Sequence, residues 1–136
     1  MAINKRQATA LVSKIIATTD HYEKRRLVYQ FWKSNCFIVL GHSTLIKCAV
    51  ELLQMNESTF YRLCKAEQTA LSIRGNSSEN VCDDTLRVLA PLPTKQRQLA
   101  WKLAKAKTQP GRRLPTAAQV KQVVNQLLAS DQMYFD

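Results

Sequence analysis

Apolar residues recur along most of the chain at the 3.6-residue period of an amphipathic helix, and this pattern predicts an all-α protein. The first predicted helix carries an apolar stripe that consists of Ala8, Leu11, Val12, Ile15 and Ile16. The second begins at Asp20, which forms a capping-box-like start with Glu23. The N-terminal part of the chain is therefore expected to bury a core of helix faces.

The second helix carries a basic triplet of Lys24, Arg25 and Arg26, which is expected on its solvated side. This triplet is either a plain solvated face or a set of phosphate contacts. Residues 36–40 are apolar and either finish this helix or form a short extended piece, and the helix is the favoured prediction.

Residues 45–71 predict two helices joined by a tight turn. The first of them, residues 45–53, is apolar over a broad arc, and Ser43 is expected to cap it. Asn56 is the expected N-cap of the second. The rest of the chain is organised around this pair.

The second helix of the pair has two contrasting sides. The apolar side consists of Phe60, Leu63, Cys64 and Leu71. The polar side consists of Ser58, Arg62, Lys65 and Thr69, flanked by Tyr61. Glu67 also falls on the apolar side, which predicts an early helix end or an open edge. This layout is typical of a helix-turn-helix, whose second helix offers polar and basic side chains to the major groove, and the alternative is an ordinary helical hairpin.

The chain is expected to divide at a polar stretch. The predicted organisation is a helical domain over residues 1–74 with the helix-turn-helix at about 44–72, a linker over 75–82, and a basic helical C-terminal part over 83–136. In that last part, Asp83 is expected to cap a short helix, and Thr94 is expected to open a helix with Leu99, Leu103 and Ala106 on its inner stripe. Trp101 lies roughly opposite that stripe and either packs against another element or stacks on a base.

The final predicted helix opens with a capping box of Thr116 and Gln119. Its apolar stripe consists of Val120, Val123, Val124, Leu127 and Leu128. Either the domain or a second copy of the chain must cover this stripe, and we expect a homodimer formed through the C-terminal helix.

The net charge of the chain indicates which class of partner it binds. Twenty Lys and Arg against ten Asp and Glu give a net charge of +10, which points to an anionic partner such as nucleic acid. Residues 94–114 contain seven basic residues and no acidic one. They are Lys95, Arg97, Lys102, Lys105, Lys107, Arg112 and Arg113. The paired arginines are predicted to lie on an extended connection. This connection is either an arm that enters the minor groove or clamps phosphate, or a plain solvated linker.

The remaining chemistry is sparse. Four widely spaced cysteines without a C-x-x-C pair are typical of reduced core residues in a cytoplasmic protein. The N-terminus lacks the apolar stretch of a signal peptide, and no window resembles a membrane span. With three glycines there is no phosphate loop, and the carboxylates form no evident acid–base pair. We therefore predict that the protein is not an enzyme. We also predict no catalytic residues, no cofactor and no metal site.

Residues 52–63, Leu-Leu-Gln-Met-Asn-Glu-Ser-Thr-Phe-Tyr-Arg-Leu, resemble the helix-turn-helix of ParB-like DNA-binding proteins of plasmids and phages. A Ser-Thr pair, an apolar residue, Tyr and Arg open the recognition helix in that family. Gln54 stands where the family usually has the turn glycine, and Val50 where it has a small residue, so Gln54 is expected to be strained at positive φ unless the turn differs. Residues 86–117 resemble the helical region that follows the motif.

These observations predict a sequence-specific protein that binds double-stranded DNA and acts in plasmid partition, replication control or transcription regulation. The predicted DNA-binding residues are Asn56, Ser58, Thr59, Tyr61, Arg62, Lys65, Lys102, Lys105, Arg112 and Arg113. Arg62 is the expected guanine reader, whereas the basic residues of the C-terminal part supply mainly charge. One alternative is a helical adaptor or inhibitor that binds an acidic protein surface. Another is RNA binding through residues 94–113, with Trp101 stacked on an unpaired base.

Overall fold

The computed structural model describes residues 3–74, 79–108, 111 and 114–135, with side chains through residue 129. The described residues form helices, turns and connecting segments without a strand, which confirms the all-α fold. Seven helices lie within the described residues: α1 (Lys5–Ala17), α2 (His21–Ser34), α3 (Leu45–Leu53), α4 (Glu57–Arg74), α5 (Asp83–Leu89), α6 (Thr94–Ala106) and α7 (Ala117–Phe135).

Contacts within the chain group into two compact units, Met1–Gln68 and Thr69–Asp136, which we call the N-terminal and C-terminal units. The division falls inside α4. No described helix is both long enough and apolar enough to cross a lipid bilayer.

The N-terminal unit is built on the predicted apolar stripes. On α1, Ala8, Leu11 and Ile15 are buried, whereas Ile16, which was also predicted on the stripe, is exposed. This helix packs against α2 and α3. Asn4 caps α1 in a capping box with Gln7, in which each side chain accepts a hydrogen bond from the other residue's backbone N–H. Asp20 caps α2 as predicted, because its carboxylate accepts hydrogen bonds from the N–H groups of Tyr22 and Glu23.

The segment after α2 does not continue the helix, so the helical prediction for residues 36–40 is wrong. Asn35 adopts the left-handed conformation at φ 53° and ends α2, and residues 35–41 form a series of turns. The Cys36 thiol is buried in these turns and donates to the carbonyl of Phe31 at 3.7 Å. An apolar stretch therefore fills a loop, because asparagine tolerates the backbone conformation that stops a helix.

Helix α3 spans the predicted residues, Leu45–Leu53, but its capping residue differs from the prediction. Its N-cap is Thr44, whose hydroxyl accepts a hydrogen bond from the N–H of Lys47, rather than Ser43. The small residue that α3 buries is Ala49, whereas Val50 is exposed. The resemblance placed Val50 at the position where two helices pack closely, but in the structure Val50 does not lie between helices.

The C-terminal unit consists of the end of α4 and of α5, α6 and α7, and α7 packs against both α5 and α6. These contacts bury Val120, Val123 and Val124 within the single chain. The predicted capping box of α7 is present, because Thr116 and Gln119 exchange hydrogen bonds between side chain and backbone N–H. Most of the stripe that motivated a dimer is thus covered without a second copy, and homodimerisation stays a prediction.

Two predicted details of α5 and α6 are wrong. The N-cap of α5 is Cys82, and Asp83 is its first helical residue. Helix α6 is rotated relative to the prediction, because it buries Ala100, Trp101 and Ala104, while Leu99 and Leu103 are exposed. Ala100, Trp101 and Ala104 therefore form the inner face of α6, and this helix packs against α7.

Candidate nucleic-acid interface

Helices α3 and α4 are joined by three residues, 54–56. Gln54 occupies the left-handed region at φ 58° and ψ 41°, so the predicted positive φ is confirmed. The predicted N-cap is also confirmed, because the Asn56 side-chain oxygen accepts a hydrogen bond from the N–H of Thr59 at 2.8 Å. The start of α4 is therefore fixed by its own capping residue.

The first turns of α4 expose a polar stripe that we call the α4 outer face. Its members are Ser58, Tyr61, Arg62 and Lys65. The side chains of Asn56 and Glu57 are exposed beside it, and that of Thr59 is half-buried. The outer face is shorter than predicted, because Thr69 is 1% exposed and therefore buried.

Behind the outer face, Phe60, Leu63 and Cys64 are buried, as the apolar spacing predicted. The ring of Phe60 meets that of Phe31 on α2 edge to face, with centroids 6.2 Å apart. Leu71 was expected on this side but is exposed. The helical period instead places Glu67 and Ala70 next on the inner face, and both are buried.

Glu67 is therefore an inward charge with a partner rather than the mark of an early helix end. Its carboxylate lies 3.0 Å from Nε of Arg25 on α2, and the two side chains are 2% and 0% exposed. The guanidinium also lies 5.2 Å from the ring centroid of Tyr22. The prediction that Arg25 is solvated is wrong, because burial of two opposite charges is tolerated when they bond to each other.

A sequence signal for this pair exists. Arg25 lies three residues before buried Val28, and Glu67 lies three residues after buried Cys64. Each charge therefore shares the apolar face of its own helix. The spacing therefore marks each charge as inward, whereas only the tertiary structure shows that the two bond to each other.

The cysteines contribute packing to the N-terminal unit. Cys36, Cys48 and Cys64 are buried and reduced, whereas Cys82 is exposed and reduced. Burial, with smaller contributions from Cys36 and Glu51, raises the pKa of Cys48 to about 11. Burial raises the pKa of Cys64 to about 12, against a smaller opposing effect of Lys33. These thiols are therefore protonated at neutral pH and behave as small apolar groups.

The basic residues of α6 divide by environment. Lys102 is exposed, whereas the Lys105 ammonium bonds to the Glu79 carboxylate at 2.9 Å and lies 5.9 Å from the Trp101 ring centroid. Arg97 donates to the backbone carbonyls of Leu89 at 3.2 Å and of Ala90 at 2.6 Å. Arg97 therefore stabilises the end of α5 rather than adding a free charge.

Three further residues were considered for nucleic-acid binding: Arg112, Arg113 and Trp101. Arg112 and Arg113 lie outside the described residues. Trp101 is 4% exposed, which confirms core packing and leaves little of its ring for stacking on a base. In the described part of the chain, no three His, Cys, Asp or Glu side chains gather as metal ligands would.

A cavity of about 330 Å³ opens in the C-terminal unit beside Trp101. Its lining consists of Ile73, Arg74, Glu79, Gln98, Trp101, Lys102 and Lys105. Three of these side chains are basic and one is acidic, so the cavity is electropositive. Sequence reasoning missed it, because only the tertiary structure brings the end of α4, Glu79 and α6 together around Trp101.

The chain was compared with protein-family models, curated proteins and solved structures, and no match was found. The resemblance to ParB-like proteins is therefore still an expectation from residues 52–63 and 86–117.

Proposed function

We propose that the protein binds double-stranded DNA and reads sequence with the α4 outer face in the major groove. The observation that carries this proposal is Arg62, which is exposed on a helix held from behind by Phe60 and by the Arg25–Glu67 pair. An arginine on a rigidly held helix can donate two parallel hydrogen bonds to guanine.

The side chains around Arg62 suit the edges of a groove. Ser58 and Tyr61 carry hydroxyl groups that can donate to or accept from bases and phosphates, and Lys65 adds positive charge. The Asn56 side-chain oxygen is engaged in capping α4, so in this proposal its amide N–H groups face the DNA. Recognition would thus concentrate in the first three turns of α4.

Affinity would come mainly from phosphate contacts. The net charge of +10 is spread over both units, and counterion release would make binding strongly dependent on salt. The resemblance to ParB-like proteins places such binding in plasmid partition, replication control or transcription regulation. A homodimer would add the affinity that a single recognition helix lacks.

The experiment begins with selection of bound sequences from a random duplex pool, followed by isotherms on the selected site and on a scrambled duplex. Arg62→Ala is expected to weaken the selected site by about 1 to 3 kcal/mol more than the scrambled one. Arg87→Ala is the matched control, since it removes one exposed arginine from α5 and should affect both duplexes equally. Equal losses on both duplexes for Arg62→Ala would contradict its assignment as a base reader.

A second candidate function rests on the unexpected outer face of α6. Leu99 and Leu103 are exposed on a helix that has no Asp or Glu, with Lys95 and Lys102 exposed beside them. Such a mixed apolar and basic surface suits an acidic protein partner. Retention of duplex DNA at about 150 mM salt supports the first function, whereas failure to retain any nucleic acid favours the second.

A further inference from the structure

The cavity beside Trp101 combines positive charge with a shape that can enclose part of a ligand. Lys102 and Lys105 project from successive turns of α6, and Arg74 lies at the end of α4. Ile73 and Trp101 add apolar surface to the lining. Small-molecule sites typically have volumes of about 300 to 1,000 Å³, so a cavity of about 330 Å³ exceeds the needs of water alone.

One anionic group already occupies part of this electropositive site. The Glu79 carboxylate bonds to the Lys105 ammonium at 2.9 Å, and the two side chains are 17% and 39% exposed. A carboxylate oxygen bonded to an ammonium makes the same contact that a phosphate oxygen would make. Since the pair is partly exposed to water, its exchange for another anion is inexpensive.

We propose that this cavity binds a phosphate group, and that Glu79 is an internal competitor that occupies Lys105 until the phosphate arrives. Lys102 and Arg74 supply further positive charge, and Lys105 is transferred from the carboxylate to the phosphate. The Gln98 side chain is held at the rim by donating to the Ser72 carbonyl at 3.0 Å, which keeps that edge of the cavity in place. No covalent step is involved.

The phosphate could be carried by the backbone of nucleic acid or could be a free ion. The inference does not depend on the base-reading role of Arg62, because the cavity is formed by residues of the C-terminal unit alone. Failure of this proposal would leave the Arg62 experiment unaffected, and failure of the Arg62 experiment would leave a phosphate site testable by itself.

The first arm of the test uses inorganic phosphate and the indole N–H signals of the two tryptophans, with chloride at matched ionic strength as the reference. Trp101 lines the cavity and Trp32 lies in the N-terminal unit, so only the Trp101 signal is expected to move in a saturable way. Glu79→Gln should tighten phosphate binding about threefold, since it releases Lys105, and Lys102→Ala should weaken it by a similar factor.

The second arm measures affinity for a duplex of about 20 base pairs at several salt concentrations. Glu79→Gln should raise the affinity about threefold, whereas the matched control Asp84→Asn, which removes an exposed carboxylate outside the cavity, should raise it less. Circular dichroism confirms that the variants keep their helices.

The outcomes separate the sources of the phosphate. A response of Trp101 to inorganic phosphate without a specific effect of Glu79→Gln on the duplex identifies a site for free phosphate. A specific effect on the duplex identifies the nucleic-acid backbone. The proposal is overturned if the Trp101 signal does not saturate and Glu79→Gln behaves like Asp84→Asn on the duplex.

Discussion

Each of the two units contains an ion pair between separate parts of the chain, and the two pairs lie in opposite environments. In the N-terminal unit, Arg25 and Glu67 are almost completely removed from water, whereas in the C-terminal unit Lys105 and Glu79 are partly exposed. The distances are nearly equal, at 3.0 Å and 2.9 Å. Geometry alone therefore does not distinguish the two pairs.

Their surroundings do distinguish them. A buried charge that loses its partner is left without solvation, so the first pair locks α4 against α2. An exposed charge that loses its partner is solvated by water, so the second pair can open at little cost. We infer that the first pair holds the proposed reading surface in place and that the second pair is exchangeable.

Removal of one partner from each pair gives the largest contrast. Arg25→Ala should lower the free energy of unfolding of the N-terminal unit by about 3 to 5 kcal/mol, because it strands the buried Glu67 carboxylate. Lys105→Ala should change the stability of the C-terminal unit by about 1 kcal/mol or less. Urea titrations followed at the Trp32 and Trp101 indole signals report on the two units separately.

A double variant is the control for the buried pair. Arg25→Met combined with Glu67→Leu removes both charges and keeps apolar volume, so it should recover most of the lost stability. If Arg25→Ala unfolds no more easily than Lys105→Ala, the contrast between the two pairs is incorrect.

The buried thiols of the N-terminal unit should make its stability depend on pH. The folded pKa of Cys48 is about 11 and that of Cys64 about 12, both above the ordinary thiol value of 9.0. A raised pKa means that the stabilisation is fully present below pH 9 and is lost as pH rises through 11 to 12. Each unit of raised pKa corresponds to about 1.4 kcal/mol lost after ionisation.

The rate at which each cysteine is alkylated at a pH of about 8 is the measurement, since only thiolates react readily. Cys82 in the C-terminal unit should be modified quickly, and the three buried thiols only when the protein unfolds or the pH is raised. Cys48→Ala should reduce the alkaline loss of stability. Rapid labelling of Cys48 in the folded protein would contradict the raised pKa.

Reciprocal substitutions on α6 test the orientation of that helix. Ala104→Leu should destabilise the C-terminal unit by about 1 to 3 kcal/mol, because a larger side chain does not fit at a buried position. Leu103→Ala should change stability by about 0.5 kcal/mol or less, because Leu103 is exposed. Thermal melts are the measurement. If Leu103→Ala lowered the melting temperature more than Ala104→Leu, the leucines rather than the alanines would form the inner face of α6.

The smallest effect concerns the left-handed residues. The N-terminal unit places Gln54 at φ 58°, whereas the C-terminal unit places Gly111 at φ 89°. Gln54→Gly should raise stability by about 0.5 kcal/mol, since glycine adopts this conformation without strain. Gly111→Ala should lower stability by about 1 kcal/mol through backbone strain alone, because an added Cβ meets nothing within 4 Å. A loss of stability in Gln54→Gly would show that the side chain contributes more than the strain costs.

The sequence alone predicts much of this fold because helix signals are local. A cap such as Asp20 or Asn56 acts on backbone groups two or three residues away, so its role is readable from spacing. The apolar period of Phe60, Leu63 and Cys64 likewise identifies the inner side of α4 without knowledge of its partners. The same period gives the outer face that contains Arg62.

Only the tertiary structure decided which polar residues lie inside and which apolar residues lie outside. Arg25 is buried because Glu67 approaches from another helix, and α6 turns Trp101 rather than Leu99 toward the core of the C-terminal unit. Such outcomes depend on pairs of groups far apart in the chain. Local periodicity contains no term for the partner that neutralises a charge or for the volume that a neighbouring helix leaves free.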